Sequence, residues 1–383
     1  GEVLAELQAD GLAEDTIVFY YSDHGGVLPR SKRFLFEVGT HPPFAMRFPK
    51  KFQHLAPGAP GSRATELVNW VDLAPTGLSV AGVKAPDFFQ GRAFAGPARA
   101  AAPAFTYSFR DRMDERYDLC RAVTDGRWRY IRNYRPDVAT MQYVNYLWNQ
   151  SSMKEWDRLH RAGKLNAIQA SFFEPKPAEQ LFDCTADPDN VRNLAGDPAH
   201  RATLEKMRAA NRAHLLRTRD TGFMPEPILR DLAGKESPTI IGRNDQAYPL
   251  ARILDVIDRL QLPASPAAAD LKAALTDPLS SIRFWGALGA LRAPKSAGEV
   301  APLLKDPTGS VRIAAAYVTA RHGNADAAWP VLGAALAADQ RFELRLEALN
   351  YLTNLPNRPA SLRPAIEAAA KVTAGGGENY VAW

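Results

Sequence analysis

The stretch Thr16-Ile17-Val18-Phe19-Tyr20-Tyr21-Ser22-Asp23-His24-Gly25-Gly26 decides how the N-terminal part of this chain is read. TIVFYY is β-branched, apolar and aromatic, with no polar alternation, which predicts a strand buried on both faces of a parallel sheet. A polar, glycine-rich SDHGG follows at once. Upstream, Val3, Leu4 and Leu7 fall at helical spacing and Gly11 stops the run. Helix, short loop, buried strand and polar loop make up the unit of an open α/β sheet, where ligands bind beyond the C-terminal ends of strands. SDHGG is therefore the expected site loop. Asp23 offers a hard carboxylate oxygen of the kind that Ca²⁺ and Mg²⁺ prefer. His24 offers a nitrogen, either to a metal or to an anionic substrate oxygen. Gly25 and Gly26 allow a sharp turn and close approach to a ligand. Lys32 and Arg33 add positive charge, so the set describes a site for a tetrahedral oxyanion. The plainer reading is a turn in which Asp23 only caps backbone N–H groups.

Working outward, residues 44–48 (FAMRF) form a second strand candidate ended by Pro49. In TELVNWVDLAPTGLSV (65–80), Leu67, Val68, Val71, Leu73 and Leu78 are expected in the core. Asp72 is expected to cap a helix with Pro75 in its first turn. The stretch 104–135 predicts antiparallel strands, with Thr124-Asp125-Gly126-Arg127 as the hairpin turn. A short strand over 179–184 and an amphipathic helix over 199–217 complete a small α+β subdomain. Between them, Tyr143, Tyr146, Trp148 and Trp156 either line a substrate cleft or fill a satellite core.

The tail is different in kind. LTDPLSSIRFWGALGAL (275–291) aligns without a gap on LKDPTGSVRIAAAYVTA (304–320), and FELRLEALNYLTNL (342–355) is a weaker third copy. Asp-Pro ahead of an Ala-rich helix is a cap and turn signal. The repeat resembles HEAT-type units, whose helix pairs bury their apolar faces only by stacking on neighbours. This divides the chain into 1–103, 104–220, a linker over 221–248, and repeats over 249–383.

Of the 383 residues, 46% are hydrophobic and 23% charged, an ordinary globular composition. Lys and Arg number 47 against 42 Asp and Glu, a near balance that gives no electrostatic case for nucleic acid. No apolar run reaches the ~20 residues of a membrane span. The two cysteines, Cys120 and Cys184, show no metal-binding spacing, and read as buried thiols or as one disulfide.

Four ordered blocks carry a resemblance: TIVFYYSDHGG, PRSKRFLFEVGTHPPFAMRFP (29–49), LVNWVDLAPTGLSVAG (67–82) and FFQGRAF (88–94). They resemble the second half of the catalytic domain of the sulfatase family, in the alkaline phosphatase superfamily. AEQLFDCTADPDNVRNLAGDP (178–198) extends the likeness. The resemblance implies a sulfatase-like α/β sheet, present in part, then the small α+β subdomain with its antiparallel sheet, then an α-solenoid of HEAT-like repeats. It implies that Asp23 is a late metal-ligand aspartate, that His24 stands beside it at the metal, and that Lys32 contacts the substrate sulfate as a catalytic residue. His41 stands where many members have Arg, a departure that favours a structural role over substrate binding. Asp72 and Arg92 are expected as a helix cap and a fold contact.

The resemblance further implies Ca²⁺ rather than Mg²⁺ as cofactor, and a formylglycine nucleophile carried on a Cys/Ser-x-Pro-x-Arg segment. Neither Cys120 nor Cys184 lies in such a segment. GEVLAELQADGL reads as the end of a helix, so the nucleophile, an aspartate pair and any export signal are expected upstream, and the chain alone is expected to be inactive. The implied activity is sulfuric ester hydrolysis on a sulfated small molecule or glycan, in a periplasmic or extracellular setting. Two alternatives stay open: a phosphomonoester or phosphodiester hydrolase of the same superfamily, and a non-catalytic scaffold offering its repeats to a protein partner.

Overall fold

A computed structural model describes residues 1–371. The chain forms a mixed α/β part with two small antiparallel sheets, followed by a largely helical C-terminal region. It divides into two compact units that interleave along the sequence. Within the described residues the first comprises 1–109, 121–131 and 180–211, and the second comprises 110–120, 132–179 and 212–371.

The first unit begins with the helix Glu2–Ala9, ended near Gly11 at φ +74°. Strand β1 (Val18–Tyr21) then pairs antiparallel with β2 (Phe44–Arg47), Tyr21 facing Phe44 and Val18 facing Arg47. This corrects the expectation of a doubly buried strand in a parallel sheet. Among the described residues no third strand flanks the pair, and Tyr20 and Tyr21 are 65% and 50% exposed.

The helix Leu73–Val80 also departs from its pattern. Val71 is exposed, and the buried face carries Pro75, Thr76 and Ser79. The two hydroxyls are satisfied internally. Thr76 Oγ1 donates to the Asp72 carbonyl and accepts from the Phe94 amide, while Ser79 Oγ donates to the Ala95 carbonyl. The FFQGRAF block is thereby sewn onto this helix, with Phe94 and Ala95 buried. Gly91 has to be glycine, since a Cβ there would stand 2.0 Å from the Val71 carbonyl oxygen.

The second sheet runs in the order β3 (Thr106–Arg110), β4 (Cys120–Thr124), β5 (Trp128–Asn133), β6 (Glu179–Asp183). The turn between β4 and β5 is the anticipated one. Gly126 takes φ +96°, and Asp125 Oδ1 accepts from the Arg127 and Trp128 amides. In the first unit, Val123, Tyr130 and Leu181 pack with Leu204 and Met207 of the helix Arg201–Thr218.

The second unit is mostly helical. Residues 221–248 read as a linker but fold as the helices Glu226–Ala233 and Pro238–Gly242, with Phe223, Met224, Ile228 and Tyr248 in the core. Pro and Gly on both sides of so short a run masked the helical spacing of Ile228, Leu229, Leu232 and Ala233. Seven further α-helices, with three 3-10 helices among them, follow between Leu250 and Ala370. Ile282 and Val311 are fully buried in one shared cluster. Asp277 and Asp306 sit ahead of the helices Ser280–Gly289 and Gly309–His322 and bond the amides of Leu279 and Thr308, two residues on. Arg283 bonds the carbonyls of Asp277 and Pro278, and Arg312 bonds those of Asp306 and Pro307. Arg283 also forks onto the Asp306 carboxylate, as Arg252 bonds that of Asp277. Residues 372–383 of the expected repeat region lie outside the described residues.

The same unit buries an acid. Burial pushes the Glu347 carboxyl up to about 8, offset only in part by the Ser310 side chain and the charge of Arg135. A folded value above the unfolded 4.5 means that the unfolded chain sheds a proton the folded chain keeps, so stability falls as pH rises from about 4.5 to 8. Glu347→Gln should therefore raise stability at pH 7 by up to about 3 kcal/mol and leave it unchanged near pH 4. Urea melts at the two pH values check this, and equal gains at both would contradict it.

Candidate active site

The loop after β1 is held from below by the segment that carries Lys32. The Gly25 amide donates to the Gly39 carbonyl at 3.1 Å, and the Lys32 amide to the Gly26 carbonyl at 3.1 Å. A Cβ on Gly25 would lie 2.0 Å from the Val38 oxygen and 2.2 Å from Ser31 Oγ, so the two backbones touch. Arg30 and Arg33, at φ +66° and +84°, bracket Lys32 in a conformation that non-glycine residues seldom adopt. Arg30 anchors this turn on the carbonyls of Asp189 and Asn190, and Asn190 Oδ1 accepts from the Glu37 amide at 2.7 Å.

This close packing brings two of the expected site residues together. Lys32 Nζ stands 2.8 Å from Asp23 Oδ2, and Asp23 Oδ1 accepts from the His24 amide at 3.0 Å. The Lys32 hydrogen bond holds the Asp23 carboxyl below its usual value. The carboxylate is 66% exposed, open to a ligand from solvent. His24 is its chain neighbour on the same loop.

His41 engages differently. Its Nδ1 meets Glu37 Oε1 at 2.6 Å, and Arg129, itself buried, holds the other Glu37 oxygen. Burial raises the Glu37 carboxyl, but the bonds to His41 and Arg129 outweigh it and bring it to about 2. The Glu37 hydrogen bond raises the His41 imidazole above its usual value. The imidazole remains largely exposed while its Nδ1 rests on the Glu37 carboxylate. Asp72 is buried, its carboxylate bonded by the amides of Asn69 and Arg92, and Arg92 pairs with Glu66. Both belong to the frame.

Sequence reading missed Trp70, whose indole Nε1 donates to the Asp23 carbonyl at 2.9 Å. It also missed the Glu37–Arg129 pair, which joins residues far apart in sequence that no motif links. Cys120 and Cys184 are free thiols.

Residues 1–83 match the sulfatase family model. An ulvan-active sulfatase of Formosa agariphila is 39% identical over 230 residues, 60% of this chain and 38% of that protein. Arylsulfatase K of Xenopus laevis is 26% identical over 200 residues, 51% of this chain and 31% of that protein. A solved 2-O GAG sulfatase superposes with a TM-score of 0.40 at 19% identity, over 63% of this chain and 43% of that one. The chain spans well under half the length of the curated relatives it matches.

Asp23 suits Ca²⁺ as one ligand of a set, since Ca²⁺ takes six to eight oxygens, often from carboxylates. Among the described residues, no group of three or more His, Cys, Asp and Glu side chains is placed to hold a metal ion. No helix among them is long and apolar enough to cross a membrane.

Proposed function

We propose that this chain carries part of the active site of a Ca²⁺-dependent sulfuric ester hydrolase, with Asp23 and His24 at the metal and Lys32 at the sulfate. The observation that carries this reading is the Asp23–Lys32 pair beyond the end of β1, inside the stretch that matches sulfatases. Bound Ca²⁺ would neutralise the sulfate oxygens and orient them. Asp23 presents its exposed carboxylate to the ion. His24, its chain neighbour, adds a nitrogen beside it at the metal. Lys32 offsets charge on the transferring group and can assist the leaving oxygen. His41 is held by Glu37, whose hydrogen bond raises its imidazole above its usual value.

No Cys/Ser-x-Pro-x-Arg segment occurs in the 383 residues, so a formylglycine nucleophile would come from sequence outside them. A sulfated glycan as substrate is supported by the relative named for ulvan. Residues 1–103 act as part of the catalytic α/β domain and 104–220 as its α+β subdomain. The helices from 249 onward are read as HEAT-like repeats, a surface for a protein partner.

A chromogenic aryl sulfate with excess Ca²⁺ tests the reading. The full-length protein should turn it over, and the 383-residue chain alone should not. Lys32→Ala should lower kcat/KM of the full-length protein roughly 10- to 100-fold, the worth of one charge-assisted hydrogen bond. Turnover by the isolated chain, lost on mutating Lys32, would overturn the division of the site.

A further inference from the structure

We infer that Trp70 is a positioning residue for Asp23, a strut that fixes the peptide carrying the metal-binding carboxylate. The inference rests on the proposed role of Asp23. Trp70 opens the 3-10 turn Trp70–Asp72 that leads into the helix Leu73–Val80. That turn is held on several sides. Asp72 Oδ2 accepts from the Asn69 amide at 3.0 Å, Asp72 Oδ1 from the Arg92 amide at 2.9 Å, and Asn69 Nδ2 donates to the Tyr107 carbonyl at 2.8 Å. The indole leaves this fixed base and packs on the ends of both strands, 5.4 Å from the Tyr21 ring and 5.3 Å from the Phe44 ring, centroid to centroid. Its Nε1 then donates to the Asp23 carbonyl at 2.9 Å.

The consequence follows from covalent geometry. The peptide unit is planar and turns only about one bond at each end, so fixing the Asp23 carbonyl fixes the plane of the Asp23–His24 peptide. The His24 amide in that plane bonds Asp23 Oδ1 at 3.0 Å, so the carboxylate is oriented through the peptide it belongs to. The next residue, Gly25, is clamped by the Gly39 carbonyl. Trp70 thus controls one side of the loop and the Lys32 segment the other. A ligand held in advance pays less ordering entropy when an ion arrives.

Trp70→Phe keeps an aromatic ring against Tyr21 and Phe44 and removes the donor. In the full-length protein it should speed amide hydrogen exchange at residues 22–26 without changing exchange in the helix Leu73–Val80 or the metal-free Tm. It should weaken Ca²⁺ binding, measured by calorimetry, about three- to tenfold, the worth of one hydrogen bond. Unchanged exchange at 22–26 overturns the inference, as does faster exchange through the helix as well, which would make Trp70 merely structural. Unchanged Ca²⁺ affinity overturns it too, provided Asp23→Asn weakens the same binding. If Asp23→Asn has no effect on Ca²⁺, the proposed role of Asp23 fails first and the inference falls with it.

Discussion

Asp23→Asn in the full-length protein should cut Ca²⁺ affinity and turnover by at least ~100-fold, more than the 10–100-fold typical of groups that only support a ligand. The substitution is nearly isosteric. An amide oxygen can still accept from the His24 amide, as Oδ1 does at 3.0 Å, so the turn survives. What disappears is the negative charge that Ca²⁺ needs and that Lys32 Nζ meets at 2.8 Å. The carboxylate is largely exposed, so the ion pair with Lys32 adds little to stability and the metal-free Tm should barely move. Calorimetric Ca²⁺ titration separates the readings. Unchanged binding would reduce Asp23 to a turn cap and remove His24 from the site as well.

Ile282→Asp should destabilise the helical unit by roughly 3–5 kcal/mol, seen as a lowered Tm. Ile282 is completely buried and shares its cluster with Val311, 29 residues on and in the same repeat position. A carboxylate at 282 would have to be protonated or drag water into the layer, and either costs several kcal/mol. A thermal melt unchanged by the substitution would show that the two positions do not share an interior.

The sequence made the site loop legible because its chemistry is local. Asp23, Gly25 and Lys32 lie within ten residues, and the glycines mark where backbones touch. The repeat was legible for a similar reason, since Asp277 and Asp306 recur in register with Ile282 and Val311. Strand pairing was not. An unbroken apolar run such as TIVFYY reports that a strand is suited to burial, and is silent on its partner's direction or on which layer covers it. The antiparallel partner β2 lies more than twenty residues on, beyond the Lys32 segment. Of the expected core positions, Leu67, Val68, Leu73 and Leu78 are half-buried and Val71 is exposed, because hydroxyls take the buried face, and Thr76 and Ser79 look polar until their acceptors are known. Trp70 was invisible as a functional residue because its partner is a carbonyl, which every residue possesses.

The arginine–aspartate arrangement in the tail has a consequence for how that region can change. Arg283 grips the start of its own helix and the carboxylate that opens the next unit, and Arg252 reaches Asp277 in the same manner. The joints at Asp277 and Asp306 are therefore made of the same two side-chain types. Excising a 29-residue module between Asp277 and Asp306 would bring a second aspartate to the position of the first, where Arg252 finds an equivalent acceptor. Loss or gain of such a 29-residue segment would thus leave the arginine–aspartate joint in place.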